Sequence, residues 1–254
     1  MHKMNRVLAA LTLSFAAFSG AQAASTAPVK NIVLVHGFFA DGSGWKGVAD
    51  ILTRDGYQVS VVQQPETSLA DDVKATTRAI DALDGNSILV GHSYGGMVIT
   101  EAGNHPRVAG LVYVAAFQPD AGESLKDLAD KMPPATKGIK ATADGHLYFE
   151  PALFQADFAA GVPATAARFM ALSQVMPAVQ TAGAPVSQAA WKTKPSWAIV
   201  STADRTVNPD LERFMAKRAG SKVVEIGGSH VAFVAHPEKV AKVIEQAAAA
   251  AGKN

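Results

Sequence analysis

Apolar positions along this chain follow two rhythms that take turns. Unbroken, mostly aliphatic runs at residues 31–35, 57–62, 87–90, 108–115, 196–200 and 222–226 read as buried strands. Between them the apolar residues move to helical spacing. Trp45, Val48, Ile51 and Leu52 line one face of a helix over 45–54, which Gly56 ends. Ser68 is placed to cap a second helix carrying Leu69, Val73 and Ile80. Further helices are expected from residue 97, over 209–219 and over 237–250. This alternation predicts an α/β fold, a mostly parallel central sheet with helices on both faces. In such sheets ligands sit at the carboxyl ends of the strands.

Composition narrows the setting. Lys3 and Arg6 precede a 12-residue apolar run from Val7 to Phe18, followed by Ala21-Gln22-Ala23. A basic start, an apolar run too short for a bilayer and a small-x-small site predict an export signal cleaved after Ala23. Residues 24–254 then form a single domain. The chain has no cysteine, so disulfides, a thiol nucleophile, thiolate metal sites and a lipoprotein anchor are excluded. Export without disulfides fits a bacterial periplasm or the medium. No other stretch is long and apolar enough for stable membrane insertion. Loss of Lys3 and Arg6 turns a formal charge of +1 into −1, and the absence of basic runs argues against a nucleic acid partner.

The chemistry centres on Gly91-His92-Ser93-Tyr94-Gly95-Gly96. A strand precedes it and a helix follows, the setting in which G-x-S-x-G forms a sharp elbow. Ser93 at the apex is expected in a strained conformation, its Oγ exposed at a helix N-terminus. A serine needs a base, and the base needs a partner that fixes its tautomer. His230 lies just past the strand at 222–226, and Asp204 just past that at 196–200. The chain order Ser93, Asp204, His230 is that of this motif. One helix and one strand between Asp204 and His230 bring the two loops alongside. His92, His105, His146 and His236 are the rival bases and Asp120 the rival acid. The oxyanion needs donors. One is the Tyr94 N–H, and the His36-Gly37 turn after the first strand puts Phe38 N–H second.

Together these stretches resemble the α/β-hydrolase superfamily, and more narrowly its branch of plant methylesterases and hydroxynitrile lyases with their bacterial esterase relatives. The likeness rests on Val33-Leu34-Val35-His36-Gly37, the elbow, Val114-Ala115-Ala116-Phe117-Gln118-Pro119-Asp120, the Asp204 stretch and Gly228-Ser229-His230. It implies Ser93, His230 and Asp204 as a triad, Phe38 and Tyr94 as the hole, and neither a metal nor an organic cofactor. Cyanohydrin-cleaving members carry a lysine directly after the catalytic histidine. Val231 stands there, which favours ester hydrolysis. The segment from about 118 to 195 is then a helical cap insertion. Its Phe149, Phe154, Phe158, Phe169, Met170, Met176 and Trp191 are too many apolar groups for a surface excursion. Phe39, Phe149, Phe154, Phe169 and Met170 are the expected pocket residues. The expected substrate is a small, largely apolar ester, and hydrolysis is expected to fall at acidic pH as His230 takes up a proton. Cofactor-free lyase chemistry or a ligand-binding receptor on the same scaffold are the alternatives.

Overall fold

The computed structural model describes residues 29–252. The expected export signal therefore lies outside the described residues. The first strand, β1 (Asn31–Val35), is fully buried. The helix expected over 45–54 begins with a tight 3-10 turn, Gly42–Trp45, whose Asp41 side chain accepts from Ser43 N–H at 2.7 Å, and continues as α1 (Lys46–Arg54). Next come β2 (Gln58–Val62), α2 (Leu69–Asp81), β3 (Ser87–His92), α3 (Gly95–Ala102) and β4 (Val108–Val114). Ser68 does cap α2, accepting from Asp71 N–H.

After the insertion the chain resumes with β7 (Ser196–Ser201), α8 (Pro209–Ala219), β8 (Lys222–Ile226), a short α9 (Ala232–Ala235) and α10 (Pro237–Ala251). The six core strands pair in the order β2-β1-β3-β4-β7-β8, every pairing parallel. Right-handed crossovers then put α1 on one face of the sheet and α2, α3 and α8 on the other. α10 packs on α1. Sequence and structure agree on the α/β-hydrolase architecture. Among the described residues no helix is long and apolar enough to cross a membrane.

The insertion between β4 and β7 is less helical than expected. It carries α4 (Leu125–Lys131), an antiparallel hairpin of β5 (Ile139–Ala141) and β6 (Leu147–Phe149), then α5 (Pro151–Leu153), a wider π-type turn at Phe154–Phe158, α6 (Ala164–Leu172) and α7 (Val179–Gly183). Asp144-Gly145 makes the hairpin turn, with Gly145 at φ 86°. Ser124 and Asp127 close a reciprocal cap on α4.

Candidate active site

The elbow forms where two glycines allow it. A Cβ on Gly91 would lie 2.5 Å from the Gly95 carbonyl oxygen, and one on Gly95 would lie 2.7 Å from both the Val35 and His36 carbonyl oxygens. With hydrogens there instead, β3 turns into α3 within a few residues, and Ser93 takes φ +53°. Its carbonyl accepts from Gly96 N–H at 3.0 Å and Phe117 N–H at 3.2 Å, which locks the turn from two sides.

Asp204 and His230 come together from neighbouring strand ends. Thr202 N–H donates to Ile226 O and Ala203 N–H to Gly228 O, both at 3.0 Å, so the two loops are laced before the side chains meet. Asp204 Oδ1 accepts from Thr206 N–H (2.7 Å) and Val207 N–H (2.9 Å). Asp204 Oδ2 lies 2.6 Å from His230 Nδ1, and both side chains are buried. A carboxylate there accepts the Nδ1 proton and leaves Nε2 bare. That Nε2 is buried and has no hydrogen-bond partner, so the Ser93 hydroxyl is not bonded to it in this structure.

His92 packs against His230 from behind. Its ring sits 4.5 Å from that of His230, and its Nε2–H donates to the His230 carbonyl at 3.0 Å. Burial first, and the neighbouring His230 second, hold His92 well below the usual imidazole range, so it stays neutral. Phe233 of α9 packs on both His92 (4.7 Å) and Trp45 (4.3 Å). The rivals lie elsewhere: Asp120 pairs with Lys192, His105 with Asp81 and His146 with Asp144, while His236 precedes α10.

Phe38 and Tyr94 stack ring on ring at 4.0 Å. Among the described residues neither main-chain N–H donates to a protein acceptor, so both amides are left unpaired. Ser93, Phe38, Phe39 and Phe117 open onto a cavity of about 110 Å³. The insertion supplies Leu125, Ala129, Pro134, Ile139 and Leu147, and the Asp204 loop adds Thr206 and Val207. Among the described residues no charged side chain lines it.

Of the expected pocket residues, Phe39 alone lines this cavity. Phe149 and Phe154 are fully buried one layer back, in an aromatic cluster with Phe158, whose ring lies 4.9 Å from His230. Met170 is half-buried against the core. Phe169 is 62 % exposed because α6 turns Ala167 and Ala171 inward instead, and Met176, in the loop after α6, is 50 % exposed. Sequence reasoning also passed over a buried polar group behind Tyr94: His36, Glu66 and Asp72. The signal existed, since Asp72 falls on the apolar stripe of α2 with Leu69, Thr76 and Ile80.

An elbow serine, a histidine–carboxylate couple at adjacent strand ends and two unpaired amides stand at the carboxyl ends of one parallel α/β sheet. Residues 32–243 match the alpha/beta hydrolase family, and the chain belongs to it. It is 38% identical over 120 residues to a carbendazim hydrolyzing esterase of Nocardioides sp., a match spanning 41% of this chain and about half (49%) of that enzyme. Its fold is similar to a pyrethroid hydrolase from Sphingobium faniae (TM-score 0.73, 22% identity, 87% of this chain and 97% of that one). It is similar also to polyneuridine aldehyde esterase (TM-score 0.74, 17% identity, 86% and 98%). The α/β-hydrolase family read from the motifs is therefore borne out.

Proposed function

We propose that this protein hydrolyses carboxylic esters of small, largely apolar substrates, with Ser93 as nucleophile, His230 as base and Asp204 as its orienting acid. The observation that carries the reading is the His230–Asp204 contact of 2.6 Å, with Nε2 bare, in a chain whose elbow serine is held at φ +53°. The names of the relatives support ester cleavage as the class of reaction.

In this reading the Ser93 hydroxyl turns to His230 Nε2 and gives up its proton as Oγ bonds to the ester carbonyl carbon. The carbonyl oxygen becomes an anion held by Phe38 and Tyr94 N–H. The imidazolium, paired with Asp204, protonates the leaving alcohol as the C–O bond breaks. Water then attacks the acyl-enzyme by the same proton path, releasing the acid and restoring Ser93. Val231 is fully buried next to His230 and offers no cation for a departing cyanide, so hydrolysis is favoured over cyanohydrin cleavage. The same reading takes residues 1–23 as an export signal, which the mass of protein recovered from the periplasm or medium checks.

The test is turnover of p-nitrophenyl butyrate together with labelling by a fluorophosphonate. Ser93→Ala is expected to lose both. Wild-type turnover in that variant would sink the assignment.

A further inference from the structure

A buried polar chain runs from the insertion to the oxyanion hole and does no work in the mechanism above. Asp72, on α2, is fully buried. Its Oδ2 accepts the Tyr94 phenol O–H at 2.6 Å, and its Oδ1 accepts the Glu66 main-chain N–H at 2.8 Å. Glu66 sits at φ +55°, and its carbonyl accepts from Ala178 N–H (2.9 Å) and Thr181 Oγ (3.3 Å) at the start of α7.

We propose that Asp72 is a positioning residue for the oxyanion hole, acting through the Tyr94 hydroxyl. This rests on the hydrolase reading. The hole takes one N–H from the loop after β1 and one from the elbow, so its shape depends on how two separate loops sit against each other. The side chains of these two residues meet in the Phe38–Tyr94 stack, with planes 19° apart. A stack alone lets two rings slide together. Fixing the outer tip of one ring on a helix stops that slide and sets both loops. Asp72 serves as the post because two donors, an O–H and an N–H, satisfy a buried carboxylate that has no cation on it. Burial first, and the Asp72 carboxylate second, push the Tyr94 phenol well above the usual range, so it remains a donor at any working pH. Through Glu66 the same carboxylate is tied to α7, which makes the insertion part of the hole's support.

The experiment compares wild type with Tyr94→Phe, Asp72→Ala and the double variant on p-nitrophenyl butyrate. It also measures inhibition by an aryl trifluoromethyl ketone, whose serine adduct carries an oxyanion. Tyr94→Phe keeps the stack and removes one oxygen. Its kcat is expected to fall about tenfold, less than the 10²–10³ for outright loss of a hole donor. KM should stay within about twofold and the ketone inhibition constant rise in step with the loss in kcat. The double variant should be no worse than Asp72→Ala. Thermal denaturation identifies any variant that has not folded, and if Asp72→Ala is one, Tyr94→Phe decides alone. A kcat within twofold of wild type, or a loss confined to KM, overturns the proposal. A wild-type protein that neither turns over esters nor takes the fluorophosphonate overturns the hydrolase reading instead.

Discussion

Glu66 gives the sharpest test of the physics of this fold. Its side chain is fully buried, and neither carboxylate oxygen has a hydrogen-bond partner. The charge-bearing groups nearby are His36, with Nδ1 3.4 Å from Oε1, and Asp72. Gln64 N–H points at His36 Nε2 from 3.4 Å, so the ring proton sits on Nδ1, which donates to the Gly37 carbonyl at 3.1 Å and leaves Glu66 without a donor. Burial lifts the Glu66 pKa from 4.5 to about 7, with His36 pulling it partly back. The unfolded chain gives up that proton near pH 4.5, while the native protein holds it to about 7. Between those values the native state binds more protons, so stability falls as pH rises through the window and is flat outside it. At ~1.4 kcal/mol per unit, the fall is about 3 kcal/mol.

Glu66→Gln keeps the shape and cannot ionise. The variant should match wild type within about 1 kcal/mol near pH 4.5 and exceed it by about 3 kcal/mol above pH 7.5. For a domain of this size that is a gain of roughly 6–12 °C in Tm. Urea unfolding of both proteins at half-unit steps from pH 4.5 to 8.5 gives the difference curve, in which groups common to both cancel. A stability difference independent of pH would refute the argument, because it would mean that Glu66 titrates alike in the folded and unfolded chains.

Three further outcomes follow from the site. Asp204→Asn keeps the size of the acid but presents an amide or a weaker acceptor to His230 Nδ1, so the proton moves to Nε2 and kcat should drop about 10⁴-fold, read in steady-state kinetics against an unchanged Tm. Gly96→Ala puts a Cβ 2.0 Å from the Phe117 carbonyl oxygen, which is main chain and cannot step aside; it should lose more than about 3 kcal/mol in urea unfolding, whereas Gly161→Ala, at φ +86° in open space, should lose only about 1–2 kcal/mol. The cavity carries no charged lining, so p-nitrophenyl hemisuccinate should be cleaved at least about 10²-fold less efficiently than the valerate, since a buried unpaired carboxylate costs several kcal/mol; equal kcat/KM for the two would refute that.

The strands were legible because each is a short apolar run in a sheet covered on both faces. β8 (Lys222–Ile226) and α8 (Pro209–Ala219) match their expected bounds. The elbow was legible because the turn from strand to helix itself demands Gly91, whose Cβ would strike the Gly95 carbonyl four residues on, and the pairing of Asp204 with His230 because strand order fixes which loops adjoin. The insertion was not. Counting its aromatic residues does not say which side of a helix they occupy. α6 buries two alanines and leaves Phe169 and Leu172 in solvent, since small residues let the helix approach its neighbours closely. The polar chain through Asp72 was passed over because a carboxylate is ordinarily assigned to a wet face, although its place on the stripe of α2 marked it as buried.

Non-glycine residues with left-handed main chain occur at four described positions, Phe39, Glu66, Ser93 and Ala115. They follow β1, β2, β3 and β4, four strands that lie side by side in the sheet, and all sit at the carboxyl ends. At about 1–2 kcal/mol each they store on the order of 4–8 kcal/mol, a large share of the roughly 5–15 kcal/mol by which a domain is stable. β7 and β8, which carry Asp204 and His230, end without such a residue. There Gly228 takes the positive φ instead. On the proposed hydrolase reading, the division follows from what each half of the site presents. An acid and a base are side chains, which rotamers and hydrogen bonds can aim. The elbow and the hole present main-chain groups, and a main-chain N–H can be aimed only by turning the chain itself. Phe39 turns the loop that exposes Phe38 N–H. Ser93 turns the elbow that exposes Tyr94 N–H. Ala115 turns the chain so that Phe117 N–H reaches the Ser93 carbonyl, and Glu66 delivers its own N–H to Asp72 behind them. On the proposed hydrolase reading, strain is therefore concentrated where the backbone would hold the oxyanion.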